Sequence, residues 1–229
     1  MNLATITVSD PRVDWLCTMY QPQKRTYAQI TYADITGVHG SMSTFSGPLR
    51  NILERMDGLC HVVRSFESET VPHPMITVDP CRDIAALDAD LILNDMIAVE
   101  GKLDRLNEEW QKGSGRGRQV IELEQRLFSR MLTRLEEARP VREMAFTPDE
   151  NHVLSGYGFL SRKPILVVLN AGQDGRIRKE LEDPDHGAHR PERVITLQGQ
   201  LESVDARLPR SLEHQGPAGP GGGSALERG

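Results

Sequence analysis

Two amphipathic segments separated by a glycine-rich break constrain the fold of this chain most strongly. In residues 83–110 the apolar positions recur at intervals of three and four, and residues 120–140 repeat the pattern. This periodicity is typical of helices with one apolar face. The break at residues 112–118 (KGSGRGR) contains three glycines and cannot continue a helix. We therefore predict two long helices that fold back on each other as an antiparallel hairpin.

Apolar runs on either side of this hairpin predict the strands of a sheet. Residues 27–33 alternate in polarity, residues 58–66 form a buried run, and helical spacing in residues 49–56 lies between them. Strand, loop, helix and strand in this order are typical of a parallel α/β sheet. Residues 165–170 are continuously apolar, as in a central strand covered on both faces.

The remaining elements are shorter. Thr147 followed by Pro148 predicts the start of a short helix that ends near Gly156. Residues 194–197 predict a last strand, and residues 201–208 predict a helix. The chain from residue 209 onward is rich in glycine and proline, so we expect a disordered tail.

Composition limits the class of protein. The 229 residues, 38% of them hydrophobic, suffice for one or two domains, and a net charge of -6 argues against a globally basic nucleic-acid binder. The three cysteines are scattered, which disfavours a disulfide scaffold or a zinc site. The first residues (MNLATITVSD) show no basic segment followed by an apolar one, so we expect no signal peptide, and no apolar run approaches the roughly 20 residues that span a bilayer. We expect a cytoplasmic protein without a membrane partner.

The strand at residues 27–33 leads into Asp34-Ile35-Thr36-Gly37. In P-loop NTPases an Asp-x-x-Gly at this place brings the carboxylate near Mg²⁺ and the glycine amide near the terminal phosphate. The phosphate-binding sequence G-x-x-x-x-G-K-[ST] does not occur in the 229 residues. An ordinary turn is the alternative interpretation, because aspartate and glycine are common turn residues.

Several segments, in matching order and spacing, resemble the YchF type of Obg-like ATPases and GTPases. They include residues 30–38 (ITYADITGV), 61–67 (HVVRSFE), 78–84 (VDPCRDI) and 163–170 (KPILVVLN), within a resemblance that extends over about residues 5–208. The resemblance implies an α/β fold: a P-loop NTPase (G-domain) parallel sheet with an inserted antiparallel helical hairpin. It also implies nucleotide binding and association with ribosomes.

The family pattern implies a division of the chain. Its phosphate-binding loop precedes the position of Thr5 and its TGS-like domain follows that of Leu208, so we expect an incomplete G domain. Residues 1–82 and 141–208 would form the two parts of that domain. The hairpin would occupy residues 83–140, and the tail residues 209–229.

The resemblance also implies site residues for phosphate chemistry. Asp34 would contact Mg²⁺ through water, and Gly37 would sense the γ-phosphate. Val38 stands where Ras-like GTPases have the water-orienting glutamine, and a valine side chain cannot polarise water. The family's compensating histidine corresponds to His73, whose neutral imidazole would orient or deprotonate the attacking water. A solvent-exposed loop histidine between Pro72 and Pro74 is the alternative.

Base recognition is assigned by the same resemblance. Asn170 corresponds to the asparagine that binds the purine, and Gln173 stands in place of the acidic residue of the motif, unless a shifted loop places Asp174 there. A glutamine offers either a donor or an acceptor, so the choice between ATP and GTP stays open. Gln198 and Gly199 occupy the position of the last base-contacting loop.

Basic residues near the predicted hairpin tip could bind RNA phosphates of the ribosome. They are Arg105, Lys112, Arg116, Arg118 and Arg126. A solvated, charge-balanced face is the alternative, because glutamates are interspersed among them. These are Glu108, Glu109, Glu122 and Glu124.

Three functions follow from these observations. The chain could be a nucleotide-binding protein that takes ATP or GTP with Mg²⁺, impaired in hydrolysis because it contains no P-loop. It could instead be a non-catalytic module that binds the ribosome or another partner. A gene fragment without independent function is the third hypothesis, and whether the chain is an enzyme stays open.

Overall fold

A computed structural model describes residues 1–35, 45, 47–113, 115–172 and 194–199. The chain divides into two compact units, Met1–Gly40 and Ser41–Gly229. The predicted helix at 201–208 and the predicted tail lie outside the described residues. Among the helices within the described ranges, none is long and apolar enough to cross a membrane.

The first unit contains an antiparallel pair of strands and a helix. Strand β1 (Asn2–Val8) pairs with β2 (Ala28–Asp34), with Asn2 opposite Asp34 and Val8 opposite Ala28. Helix α1 (Pro11–Tyr20) connects them and begins at Asp10, whose side chain accepts a hydrogen bond from the Arg12 amide. All residues of β1 are exposed, and α1 buries none of its own.

The strand predicted at residues 27–33 is confirmed, but its observed neighbour differs from the expectation. Sequence order suggested a parallel sheet with the strand at 58–66, whereas among the described strands β2 pairs with β1 in the antiparallel sense. The physical reason is the short connection through α1, which returns the chain alongside β1. Neither β1 nor α1 was predicted.

The second unit contains a three-stranded parallel sheet. Strands β3 (Leu59–Ser65), β4 (Ile165–Ala171) and β5 (Val194–Leu197) lie in the order β3-β4-β5, and all three were predicted. The central strand β4 buries most of its side chains, with Val167 fully enclosed, although Leu166 is exposed. The parallel α/β class expected from the sequence is therefore confirmed in this unit.

The helices of the second unit agree with the periodicity of the sequence. They are α2 (Gly47–Arg55), α3 (Pro80–Lys112), α4 (Arg118–Glu136) and α5 (Pro148–Leu154), with a 3₁₀ turn at Val141–Glu143. The long helix α3 begins with an aspartate cap followed by proline and ends at a glycine in the left-handed conformation. Helix α5 begins at Thr147 and Pro148 as predicted, and Thr147 and Glu150 also form a capping box there.

Helices α3 and α4 pack against each other as a hairpin between β3 and β4. Their buried contacts form the main apolar cluster, which includes Val99, Leu106, Phe128, Met131 and Leu135. Phe128 contacts the rings of Tyr157 and Phe159, with centroids 5.3 and 6.2 Å away. Because the aromatic pair belongs to the segment that leads to β4, this cluster joins the hairpin to the sheet.

A buried carboxylate fastens the same segment to the middle of α3. Asp95 is 2% exposed and accepts the backbone N–H groups of Leu160 and Ser161, both at 2.7 Å, and the Ser161 hydroxyl at 2.6 Å. Ser161 in turn accepts hydrogen bonds from the backbone N–H groups of Val141 and Arg142. The turn at 160–161 thereby joins α3 to the end of the hairpin.

We predict that Asp95 makes stability decrease as pH rises from the unfolded-state pKa of 3.8 to the folded-state pKa of about 6. Burial raises the pKa of Asp95 to about 6. Hydrogen bonds from Ser161 and Leu160 and the positive charge of Arg50 lower this pKa, but they offset the effect of burial only in part. A folded-state pKa above the unfolded value favours folding at low pH, and this contribution is lost as pH rises through 6. Relative to Asp95→Asn, the wild-type advantage should fall by about 2 kcal/mol between pH 4.5 and 7.5.

Urea unfolding of both proteins across this pH range measures the difference. Asp95→Asn also loses accepted hydrogen bonds, so it should be less stable than wild type at pH 4.5. A wild-type advantage that is constant, or that grows with pH, would show that the buried carboxyl does not titrate in this way.

Candidate functional site

Asp34, the proposed magnesium residue, ends strand β2 in the first unit. Its exposed carboxylate accepts a long hydrogen bond of 3.4 Å from the Asn2 side chain on the neighbouring strand. Gly37 and Val38 lie outside the described residues. Within the described ranges, no group of three His, Cys, Asp or Glu side chains is placed to hold a metal ion.

Asn170 and Gly199, both predicted to contact the base, lie together in the second unit. Asn170 is at the carboxyl end of β4, and its Oδ1 accepts the Gly199 backbone N–H at 3.1 Å. The partner is a donor, so it fixes the orientation of the amide and leaves the Asn170 Nδ2 group as a donor. Gln198 adjoins this contact, whereas Gln173 lies outside the described residues.

The loop after β3 is held by an arginine that the sequence reasoning did not single out. Arg64 donates from Nε to the Phe66 carbonyl at 2.8 Å and from Nη1 to the Val71 carbonyl at 2.9 Å. Its guanidinium also lies 4.8 Å from the centre of the Phe66 ring. The sequence does contain a signal for this role: Arg64 lies near the end of a predicted strand, just before the loop whose carbonyls it binds.

His73 is enclosed by this loop and the first turn of α3. Its side chain is 9% exposed, Nε2 lies 3.1 Å from Asp83 Oδ2, and Nδ1 accepts the Met75 backbone N–H at 3.2 Å. The ring is therefore not the solvent-exposed loop histidine of the alternative interpretation. Both ring nitrogens have protein partners, so action on a water would require the ring to leave Asp83.

The chain matches no family model. It is 31% identical over 177 residues to the ribosome-binding ATPase YchF of Haemophilus ducreyi, covering 76% of this chain and 47% of that protein. It is 29% identical over 183 residues to Obg-like ATPase 1 of Oryza sativa subsp. indica, covering 78% and 45%. The solved structure of the Schizosaccharomyces pombe YchF GTPase matches with a TM-score of 0.57 and 25% identity, covering 79% of this chain and 48% of that one.

The chain belongs to the YchF and Obg-like ATPase family. The family resemblance inferred from the order and spacing of the sequence segments is thus confirmed, and so is the α/β fold of a P-loop NTPase. The chain spans about half the length of the curated relatives it matches.

Three of the five basic residues near the hairpin tip of this YchF-type chain form local ion pairs, whereas Arg105 donates to the Gly101 carbonyl and Arg118 lies over the Trp110 ring. Lys112 pairs with Glu108 at 2.8 Å, and Arg126 pairs with Glu122 at 2.5 Å. Arg116 lies 3.1 Å from Glu109. These exposed pairs fit the charge-balanced face that was the alternative to a phosphate-binding surface.

Deeper in the hairpin, the carboxylate of Glu124 forms ion pairs with two cations. It pairs with Arg116 and, at 3.1 Å, with Lys102. Burial of this carboxyl favours its neutral form, but the two hydrogen-bonded cations outweigh that effect and lower the pKa of Glu124. Lys102 also lies 5.6 Å from the centre of the Tyr157 ring. Glu124 therefore neutralises positive charge that would otherwise be able to bind an RNA phosphate.

A polar cleft lies between α2 and the turn that follows α5. Asn51, Glu54, Ser155 and Tyr157 line it. None of the residues predicted for nucleotide binding contributes to its walls. The cleft is thus separate from the Asn170–Gly199 contact.

We predict that neutral His73 carries its proton on Nε2. The reason is that Nδ1 accepts a backbone N–H, while Nε2 faces a carboxylate. Nitrogen-15 shifts of the labelled imidazole at pH 8 distinguish the two tautomers. In Asp83→Ala the Nε2 partner is lost, so the tautomers should mix, whereas Asp104→Ala on the exposed side of α3 should change nothing. A ring protonated at Nδ1 in the wild type would contradict this geometry.

Proposed function

We propose that this chain is a purine-nucleotide-binding protein that takes ATP or GTP with Mg²⁺ and is impaired in hydrolysis. The observation that carries the proposal is the contact between Asn170 and Gly199 at the carboxyl end of β4. In open α/β sheets, ligands bind in the crevice beyond the carboxyl ends of the strands. The names of the relatives, which are ATPases and a GTPase, support the same class.

The proposed roles follow the chemistry of each side chain. Asn170 would bind the purine through its Nδ2 donor, with Gln198 and Gly199 beside it. Gln173 would replace the usual carboxylate by a neutral amide, which weakens the preference for guanine. Asp34 would reach Mg²⁺ through water, and Gly37 would contact the γ-phosphate.

Weak phosphate affinity is part of the proposal. A row of backbone amides and a lysine supply most of the phosphate affinity of P-loop proteins, and the 229 residues contain no such sequence. Hydrolysis would be further limited because Val38 cannot orient water. His73 could act on that water only after it leaves Asp83.

A second function is favoured by the hairpin. Its apolar cluster is buried and three of its five basic tip residues are ion-paired, as expected of a rigid element that docks against a partner. The Haemophilus ducreyi relative is named a ribosome-binding ATPase. We therefore propose the ribosome as partner, contacted through the hairpin by shape and apolar side chains more than through phosphates.

For the nucleotide proposal, we expect the 229-residue chain to bind Mg-ATP and Mg-GTP alike with a Kd on the order of 1 mM, about -4 kcal/mol. Asn170→Ala should weaken binding about fivefold, because one hydrogen bond contributes about 1 kcal/mol. Asn107→Ala, at the exposed hairpin, is the matched control. Titrations followed by NMR measure these affinities.

Two results would contradict the nucleotide proposal. Micromolar affinity would refute the weak phosphate binding. Equal affinities of wild type and Asn170→Ala would refute the role of Asn170 in base recognition.

For the ribosome proposal, we expect the chain to cosediment with ribosomes and to lose that binding in Leu123→Asp. Leu123 is 65% exposed near the tip, whereas Ile97, 47% exposed on the same hairpin, lies far from the tip and Ile97→Asp is the control. Because three of the five basic tip residues are ion-paired, binding should release no more than about two counterions, so the binding constant should depend only weakly on salt concentration. A steep salt dependence with normal binding by Leu123→Asp would instead indicate a phosphate-binding surface.

A further inference from the structure

Residues 158–164, here called the clasp, lie between α5 and β4 and contact both α2 and the helical hairpin. The centre of the clasp is enclosed: Ser161 is fully buried and Leu160 is 1% exposed, whereas Pro164 at its end is exposed. Its contacts with α2 and with the hairpin involve different residues of one short segment. A segment of this kind can transmit displacement between the elements that it joins.

On the α2 side, the clasp binds the end of the helix. Lys163 Nζ donates to the carbonyl oxygens of Glu54 at 3.0 Å and Met56 at 2.6 Å. These carbonyls belong to the last turn of α2 and the residue after it, where a helix lacks its own donors and favours a cation. Gly158 also lies against Glu54: a Cβ at this glycine would come within 2.7 Å of the Glu54 side chain.

On the hairpin side, the clasp is held at two places. Asp95 accepts three hydrogen bonds from Leu160 and Ser161, which tie the clasp to the middle of α3. Ser161 accepts hydrogen bonds from the Val141 N–H at 3.2 Å and the Arg142 N–H at 3.0 Å. Arg142 is itself joined to Asp88 of α3 at 2.7 Å.

We propose that the clasp couples α2 to the helical hairpin as a conformational device. If the end of α2 moves, the two hydrogen bonds from Lys163 must break or the clasp must follow. A clasp that follows pulls on Asp95 and on the backbone of Arg142, because the buried donors have no water to replace these partners. Displacement at one end is therefore felt at the other, and the coupling is reciprocal.

The coupling goes beyond nucleotide binding and stands without it. In sequence, α2 follows the segment that contains Asp34 and Gly37, while the hairpin is the element proposed to meet a partner. Occupancy of either end would bias the other through the clasp. A partner on the hairpin would thus alter the stability of α2 even in a chain that binds no nucleotide.

Amide hydrogen exchange on the intact chain tests the coupling in both directions. Lys163→Met removes the bonds to α2, and the distant probe is the Arg142 amide. Asp95→Asn weakens the hold on α3, and the distant probe is the Met56 amide, which donates to the Leu53 carbonyl. We expect each distant amide to exchange faster by a similar factor, on the order of 5- to 150-fold.

Lys112→Met is the matched control, because Lys112 pairs with Glu108 within α3 and is remote from the clasp. It should leave both probes unchanged. The proposal is overturned if Lys163→Met accelerates only α2 amides, or if Lys112→Met gives the same pattern.

If Lys163→Met or Asp95→Asn fails to fold, a less disruptive variant still tests the coupling. Ser161→Ala removes the hydroxyl bonds to Asp95 and from Val141, yet retains both backbone donors to Asp95. It should accelerate exchange at the Met56 amide as well as at Val141. Faster exchange at Val141 with an unchanged Met56 amide would show that the clasp does not reach α2.

Discussion

The interaction on which the second unit depends is the burial of the Asp95 carboxylate in the middle of α3. A buried charge is costly unless donors surround it, and Asp95 obtains three of them from residues 160 and 161. These donors lie three and four residues before Pro164, whose carbonyl accepts the Leu59 N–H at 2.9 Å at the start of β3. One carboxylate thus sets where a 33-residue helix sits relative to the point at which the chain enters the sheet.

A small number of polar contacts likewise holds the loop between β3 and α3, at the other end of the strand. Arg64 at the end of β3 and His73 near the start of α3 each use two hydrogen-bonding contacts to shape the chain between them. A loop held in this way gives His73 a defined resting position. Any role for His73 in hydrolysis therefore requires a rearrangement whose cost is set by Asp83 and the Met75 amide.

Much of the fold could be predicted because its helices and strands have local patterns. The periodicity of α3 and α4 and the apolar run of β4 need no knowledge of distant residues. The pairing of β2 with β1 could not be predicted, because β1 mixes threonine with apolar residues and buries none of them. Likewise, Asp95 and Ser161 are 66 residues apart in the chain, and no local pattern links them. For the candidate site, the family resemblance assigned Asn170 and Gly199 to the same base-binding role, and the two residues are in contact. The burial of His73 could not be predicted, because no local sequence pattern indicates its contact with Asp83.

The Asn170 contact also limits how this chain could distinguish purines. Its Oδ1 accepts the Gly199 N–H, so in the proposed nucleotide site the Nδ2 group is the donor that would face a base. Adenine and guanine both present N7 as an acceptor, and a single donor to N7 cannot separate them. Discrimination then requires a group that reads the exocyclic positions, which in the family pattern is the carboxylate replaced here by Gln173. A neutral amide accepts or donates with little preference, so under the proposed function these two side chains would favour a site that accepts either purine.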